Sequence, residues 1–134
     1  MKREIEFRGR TAKGKWVYGY LFNGKSYLND EELTAIIPID VTLYPRCELS
    51  GYRIVIPETV GQYTGITDKN GKKIFEHDIV KVTVCSSYDC YVCFKDYAWY
   101  FVPFDEEVKE IKFGVLKHAD YEVIGNIHDN PELL

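Results

Sequence analysis

No stretch of this sequence approaches the roughly 18–20 consecutive apolar residues that a membrane helix needs. An apolar region near the start is also missing, since Met1-Lys-Arg-Glu-Ile-Glu6 places acidic residues where a secretory signal would be hydrophobic. These absences predict a cytoplasmic protein with no membrane partner. The catalytic signatures that carry a mechanism are missing as well: there is no Gly-x-Ser-x-Gly elbow, no His-Glu-x-x-His and no Gly-rich loop opening a helix. No catalytic residue and no cofactor is therefore assigned, and the chain is read as a non-enzyme. Internal repeats, heptads and low-complexity tracts are absent, which excludes solenoids and coiled coils. Cysteine is sparse, at positions 47, 85, 90 and 93. A reducing cytosol would keep these as thiols, and a chain of 134 residues does not need disulfide staples.

What the chain has in abundance is aromatic surface. Eleven Tyr, seven Phe and two Trp, with many Val, Ile and Thr, suit the pleated, half-buried surface of a sheet better than a helix. Hydrophobic residues make up 46 %, more than a disordered chain carries, so the protein is expected to fold as one ordinary domain or two small ones.

Turn chemistry divides the sequence into strands. Glu4-Ile-Glu-Phe-Arg8 alternates polar and apolar residues with period two, which predicts a strand with Ile5 and Phe7 facing inward. Thr11–Gly14 supplies a turn, and Lys15–Phe22 reads as the returning strand. Asn23-Gly24 then predicts a type I′ hairpin into Ser26–Leu28, completing a three-stranded meander over residues 4–28. Residues 29–52 are loosely patterned, with a charged loop at Asp30–Glu32, an apolar edge strand at Ala35–Ile39 interrupted by Pro38, and turns at Tyr44-Pro45 and Ser50-Gly51. Arg53–Ile56 resumes strand character before Pro57.

The second half is more regular. Asp68-Lys-Asn-Gly71 punctuates a hairpin between Tyr63–Ile66 and Lys73–Phe75, and Glu76-His77-Asp78 forms a polar corner before the strand Ile79–Val84. Tyr91–Lys95 and Ala98–Val102 face each other across Asp96-Tyr97. Asp105–Ile111 predicts one short helical turn capped by Asp105, with Val108 and Ile111 facing the core. Tyr121–Ile127 is expected to close the sheet. The fold class is mainly β: an N-terminal antiparallel meander region (1–58) packed on a C-terminal SH3-like small β-barrel (59–134), the two forming one cooperative unit.

Three sets of residues resemble those of a known family. They are the stretch Glu58–Val82, ETVGQYTGITDKNGKKIFEHDIVKV, the closing YEVIGNIHDNPEL of Tyr121–Leu133, and the opening REIEFRGR (Arg3–Arg10) followed by GKWVYGYL (Gly14–Leu21). On these the chain resembles the YopX family of phage and prophage proteins, with roughly residues 25–52 and 85–118 unmatched. The resemblance implies an all-β fold and a phage context. It implies no reaction, because the family has no established biochemical activity. The family's corner usually reads Glu-Gly-Asp-Ile-Val. Here His77 stands at the Gly, so the resemblance supports a tight turn with a left-handed residue and lends His77 no role.

Charge and aromatics supply the candidate sites. Residues 1–29 hold seven Lys/Arg against Glu4 and Glu6, a local charge of +5, which leaves −9 for the remainder. Arg8, Arg10, Lys13 and Lys15 are therefore candidate nucleic-acid contacts. Basic residues on an edge strand also deter edge-to-edge aggregation, and that reading stands beside the first. Trp16, Tyr18, Tyr97 and Trp99 are candidate protein contacts, because exposed Tyr and Trp bury much area at little entropic cost. They point to a homo-oligomer or to an unidentified host or phage protein as partner. Cys85, Cys90 and Cys93, with His77, have the residue types of a zinc site. An extended Tyr91–Lys95, however, points Cys90 and Cys93 to opposite faces, and no metal ligand is assigned.

Overall fold

The computed structural model describes residues 3–26, 29–38 and 51–134. Its regular structure is mainly antiparallel sheet, and it divides into two compact units, residues 1–63 and 64–134.

In the first unit, β1 (Phe7–Arg10) pairs with β2 (Trp16–Lys25) through the turn expected at Thr11–Gly14. Gly14 takes φ 87°, a conformation with little penalty only for glycine, and its N–H donates to Thr11 O at 2.9 Å. β2 pairs with β3 (Glu32–Pro38), which pairs with the short β4 (Arg53–Ile54). A 3-10 turn at Pro57–Thr59 follows, where Pro57 ends the extended run, and β5 (Gly61–Thr67) returns alongside β1 at Gly61 and Gln62. Among the described residues, Ala35, Ile36, Val55 and Tyr63 are the buried hydrophobic ones here.

Three expectations for this unit are corrected. Asn23-Gly24 makes no hairpin. β2 runs straight through it, Asn23 opposite Thr34 and Gly24 opposite Leu33, and Thr34 Oγ1 donates to Asn23 Oδ1 at 3.3 Å. The ladder continues to Lys25 opposite Glu32, beyond which Ser26 N–H donates to Glu31 O. The ladder between two long strands outweighed a local turn preference. Secondly, Ile5 is 53 % exposed whereas Glu6 and Arg8 are buried, so burial here does not follow the apolar set. Period-two alternation misassigns it because the Arg8 guanidinium lies against the Trp16 ring of the neighbouring strand. Thirdly, the strand at 32–38 is no edge, because β4 lies beyond it and Pro38 is merely its last residue. The turns at Tyr44-Pro45 and Ser50, the continuation at Ile39, and Tyr27-Leu28 lie outside the described residues.

In the second unit, the end of β5 and β6 (Lys73–Phe75) form the hairpin expected around Asp68–Gly71. A five-stranded antiparallel sheet follows in the order β10-β9-β8-β7-β11, built from β7 (Asp78–Thr83), β8 (Ser87–Lys95), β9 (Ala98–Pro103), β10 (Ile111–Lys112) and β11 (Asp120–Asn126). Its core face gathers Val80, Val82, Cys90, Val92 and Phe101 with Ile74. Phe101 stacks between Phe113 and Tyr121, with centroids 4.2 and 5.0 Å away.

The sheet is open, so the SH3-like closed barrel is corrected to an open sheet of the same all-β class. β11 pairs with β7 alone instead of closing the sheet. An edge exposes unpaired backbone, and here the Asp68–Lys72 turn covers part of it: Lys69 N–H donates to Tyr121 O and Val123 N–H to Asp68 Oδ2. A register shift between Val123 and Gly125 interrupts the strand further along. A Cβ at Gly125 would run into the Asn130 side chain, which would have to shift. The expected helical turn at residues 105–111 is also corrected. No helical turn forms: Val108 N–H donates to Asp105 O and Glu107 N–H to Asp105 Oδ1 in a simple turn, and Ile111 joins β10 opposite Phe101.

Candidate interaction surface

The aromatic residues of the first unit sort by strand parity. Residues directly opposite in an antiparallel ladder share a face, and Tyr18 lies opposite Arg8, Tyr20 opposite Ile37, and Ala35 opposite both Phe22 and Ile54. One face therefore carries Trp16, Tyr18, Tyr20, Ile37 and Ile54. Tyr18 is 42 %, Tyr20 52 % and Ile54 59 % exposed, whereas Trp16 is half-buried under the Arg8 guanidinium, 4.7 Å from its ring centroid. Tyr18 was legible as a contact candidate. Tyr20 and Ile54 were not among those candidates, and only for Tyr20 did the sequence hold a signal, its place two residues beyond Tyr18.

In the second unit, Asp96 and Tyr97 form the two-residue loop joining β8 to β9, both left-handed at φ 48° and 66°. This is the backbone of a type I′ turn. Tyr97 at its tip is 97 % exposed. Trp99 is half-buried and meets Phe94 edge to face at 5.1 Å, and Phe94 is itself exposed. The expected contacts Tyr97 and Trp99 thus sit together at one hairpin end, with Phe94 as an unassigned third.

The four candidate cations separate. Arg8 is buried and Arg10 half-buried, its N–H donating to Thr59 Oγ1 and its carbonyl accepting from Ile56 N–H. Only Lys13 and Lys15, at the turn, are exposed among the four.

At the polar corner, His77 has φ 74°, the left-handed conformation expected of the residue replacing glycine. Asp78 accepts the Phe75 N–H at 2.8 Å and is wholly buried, so its carboxylate fixes the turn. His77 also approaches His128, with Nδ1 to Nε2 at 3.2 Å. No local spacing forecasts that contact between residues 51 apart. It follows from the β7–β11 pairing of Asp78 with Asn126.

The cysteines behave as strand residues. Cys90 points into the core opposite Val80 and Pro103, and Cys93 points to the other face opposite Tyr100. Among the described residues, no group of three or more His, Cys, Asp and Glu is arranged to hold a metal ion. Burial pushes the Cys90 thiol up to about 12, with the Asp89 charge adding to it, and burial also raises Cys93. Cys85 lies exposed in the β7–β8 turn. A thiol-alkylating reagent at pH 8, read by peptide mass mapping, should modify Cys85 rapidly and Cys90 only after denaturant is added. Rapid native labelling of Cys90 would contradict its place in the core. Among the described residues, no helix is long and apolar enough to cross a membrane.

Comparison with known proteins agrees with this architecture. The family model described as YopX protein matches residues 6–134. Protein EF1440 from Enterococcus faecalis has a crystal structure similar to this chain, with a TM-score of 0.61 at 24 % identity, covering 99 % of each chain. Protein yopX from Bacillus subtilis is similar at a TM-score of 0.56 and 23 % identity, covering 96 % of this chain and 97 % of its own. At such identities the two structures speak for the fold alone. No curated protein matches. With the family model covering nearly its whole length, the chain belongs to the YopX family.

Proposed function

We propose that this chain is a non-enzymatic protein-interaction module of phage or prophage context, cytoplasmic and self-associating. The observation that carries this reading is the placement of the exposed aromatics. Tyr18 and Tyr20 share a sheet face with Ile54, and Phe94 and Tyr97 share a hairpin end. Tyrosine in such positions supplies large contact area at the cost of ordering two side-chain torsions. The polar corner supports the same reading, because Asp78 serves as the acceptor that shapes the turn. A nucleic-acid role draws less support, since Arg8 lies under 5 % exposed beside Trp16 and the chain beyond residue 29 sums to −9.

Sedimentation velocity should show a species larger than the 15.6 kDa chain, and random DNA or RNA should not bind at physiological salt. Micromolar nucleic-acid affinity that falls steeply with salt, and is lost in the Lys13→Gln/Lys15→Gln variant, would replace this reading with a nucleic-acid one.

A further inference from the structure

Asn-Gly occurs twice in this chain, at Asn23-Gly24 and at Asn70-Gly71. The dipeptide is chemically reactive. The glycine nitrogen can attack the asparagine side-chain carbonyl carbon, forming a C–N bond and expelling ammonia, because glycine carries no Cβ to obstruct the approach. Water then opens the cyclic imide at either carbonyl. The product is aspartate, or an isoaspartate whose backbone runs through the former side chain and is longer by a methylene. A water is consumed and an ammonia released, with no oxidant or reductant needed.

The fold puts the two steps in opposite settings. Asn23 and Gly24 lie within the β2–β3 ladder, opposite Thr34 and Leu33, and the Asn23 side-chain oxygen accepts from Thr34 Oγ1. The Phe22 ring lies over Gly24, where an added Cβ would come within 3.0 Å of it. Ring closure there requires the strand to leave its ladder. Asn70 and Gly71 are both exposed at the tip of the β5–β6 hairpin, where Gly71 N–H donates to Asp68 O at 3.0 Å. An exposed tip opens at far lower free energy than a ladder, so the Gly71 nitrogen is released to react much more often.

We infer that Asn70 is a self-modification site, and that its isoaspartate form loosens the cover on the β11 edge. The tip is the one that Asp68 organises: Oδ1 accepts from Asn70 and Lys72, while Oδ2 accepts from Val123, and Lys69 N–H donates to Tyr121 O. A methylene added to the backbone between Asp68 and Lys72 changes the span that the Oδ1 bonds must bridge. The reaction also sets a new carboxylate beside that of Asp68, against its charge. Both effects pull the turn away from Tyr121 and Val123.

Peptide mass mapping of the full chain aged at pH 8 and 37 °C tests the site, with isoaspartate read by transfer of labelled methyl from S-adenosylmethionine by an isoaspartyl methyltransferase. In the folded protein, conversion at Asn70 should outpace Asn23 by about tenfold or more, and in strong denaturant the two rates should converge to within a few-fold. Conversion should also quicken as pH rises, because the attacking nitrogen must lose its proton. Folded-state rates that are alike, or faster at Asn23, overturn the assignment. Thermal melts and hydrogen exchange test the consequence. Aged wild type should lose Tm and exchange the Val123 amide about tenfold faster or more, whereas Asn70→Gln, which keeps the backbone N–H that Asp68 accepts, should age without either change. Isoaspartate at position 70 with an unchanged Tm and Val123 exchange overturns the loosened edge.

Discussion

Replacing Asp68 by Ala should destabilise the second unit by about 2–4 kcal/mol and lower Tm by roughly 10–20 °C. This one carboxylate holds three backbone donors: Oδ1 accepts from Asn70 and Lys72, each at 2.9 Å, and Oδ2 accepts from Val123 at 3.0 Å. The first two contacts shape the β5–β6 turn. The third crosses to β11, where a stranded N–H would lie partly buried and cost more than one facing water. Losing it also uncovers part of the sheet edge, so the variant should aggregate more readily. Burial pushes the Asp68 carboxyl up, but the Val123, Lys72 and Asn70 N–H groups together with the Lys72 charge outweigh it and hold the group below the usual carboxylate range. A depressed folded-state value means that this stabilisation is fully present above the unfolded value of about 3.9 and disappears as pH falls through that value toward the folded one. Guanidinium melts should therefore show the wild-type advantage over Asp68→Asn at pH 7 shrinking near pH 3. An alanine variant within about 1 kcal/mol of wild type would show that the turn holds without this clamp.

Local chemistry was legible in this sequence where one residue type alone satisfies a backbone demand. Gly14 and the Asp68–Gly71 turn were readable from turn rules, the left-handed His77 from its place at the family's glycine, and the opposite facing of Cys90 and Cys93 from strand alternation. What escaped depended on which strand pairs with which. Asn23-Gly24 is a hairpin signal by itself, yet Leu21 opposite Ile36 and Phe22 opposite Ala35 commit β2 to a longer ladder. Glu6 and Arg8 defeat the inward assignment of Ile5 because Trp16, on the neighbouring strand, offers a ring for the arginine. The closed barrel failed for a similar reason. Five strands in seventy residues suit closure, but whether β11 meets a further strand or a capping turn is decided by Asp68 and Lys69, far away in sequence. The candidate contacts followed the same division. Tyr18 and Tyr97 stood out as aromatics in alternating strands and turns, whereas Ile54 required the pairings.

Deleting residues 121–134 should abolish folding of the second unit. The truncation removes nearly all of β11, one of the two partners of β7, leaving Val80 and Val82, both completely buried, on an open edge. Tyr121 loses its stack on Phe101, and Val123 its packing on the core. Val123, Ile127 and Tyr121 are half-buried, and their burial contributes roughly 1–2 kcal/mol each. Those losses approach the lower end of the total stability of an ordinary domain, about 5–15 kcal/mol. The His77 carbonyl also loses the Ile127 N–H at 3.0 Å, so the corner that starts β7 loosens at the same time. Because β5 begins in the first unit and ends in the second, the intact chain is expected to melt in a single transition and the truncated one to show none. Deleting only residues 131–134 is the matched control. It removes an exposed 3-10 turn beyond Asn130, leaves the Asn130 side chain that accepts from Asn126 N–H, and should keep near-UV circular dichroism and Tm close to wild type. A soluble 1–120 fragment with native near-UV dichroism would make β11 dispensable and show that β7 tolerates an open edge.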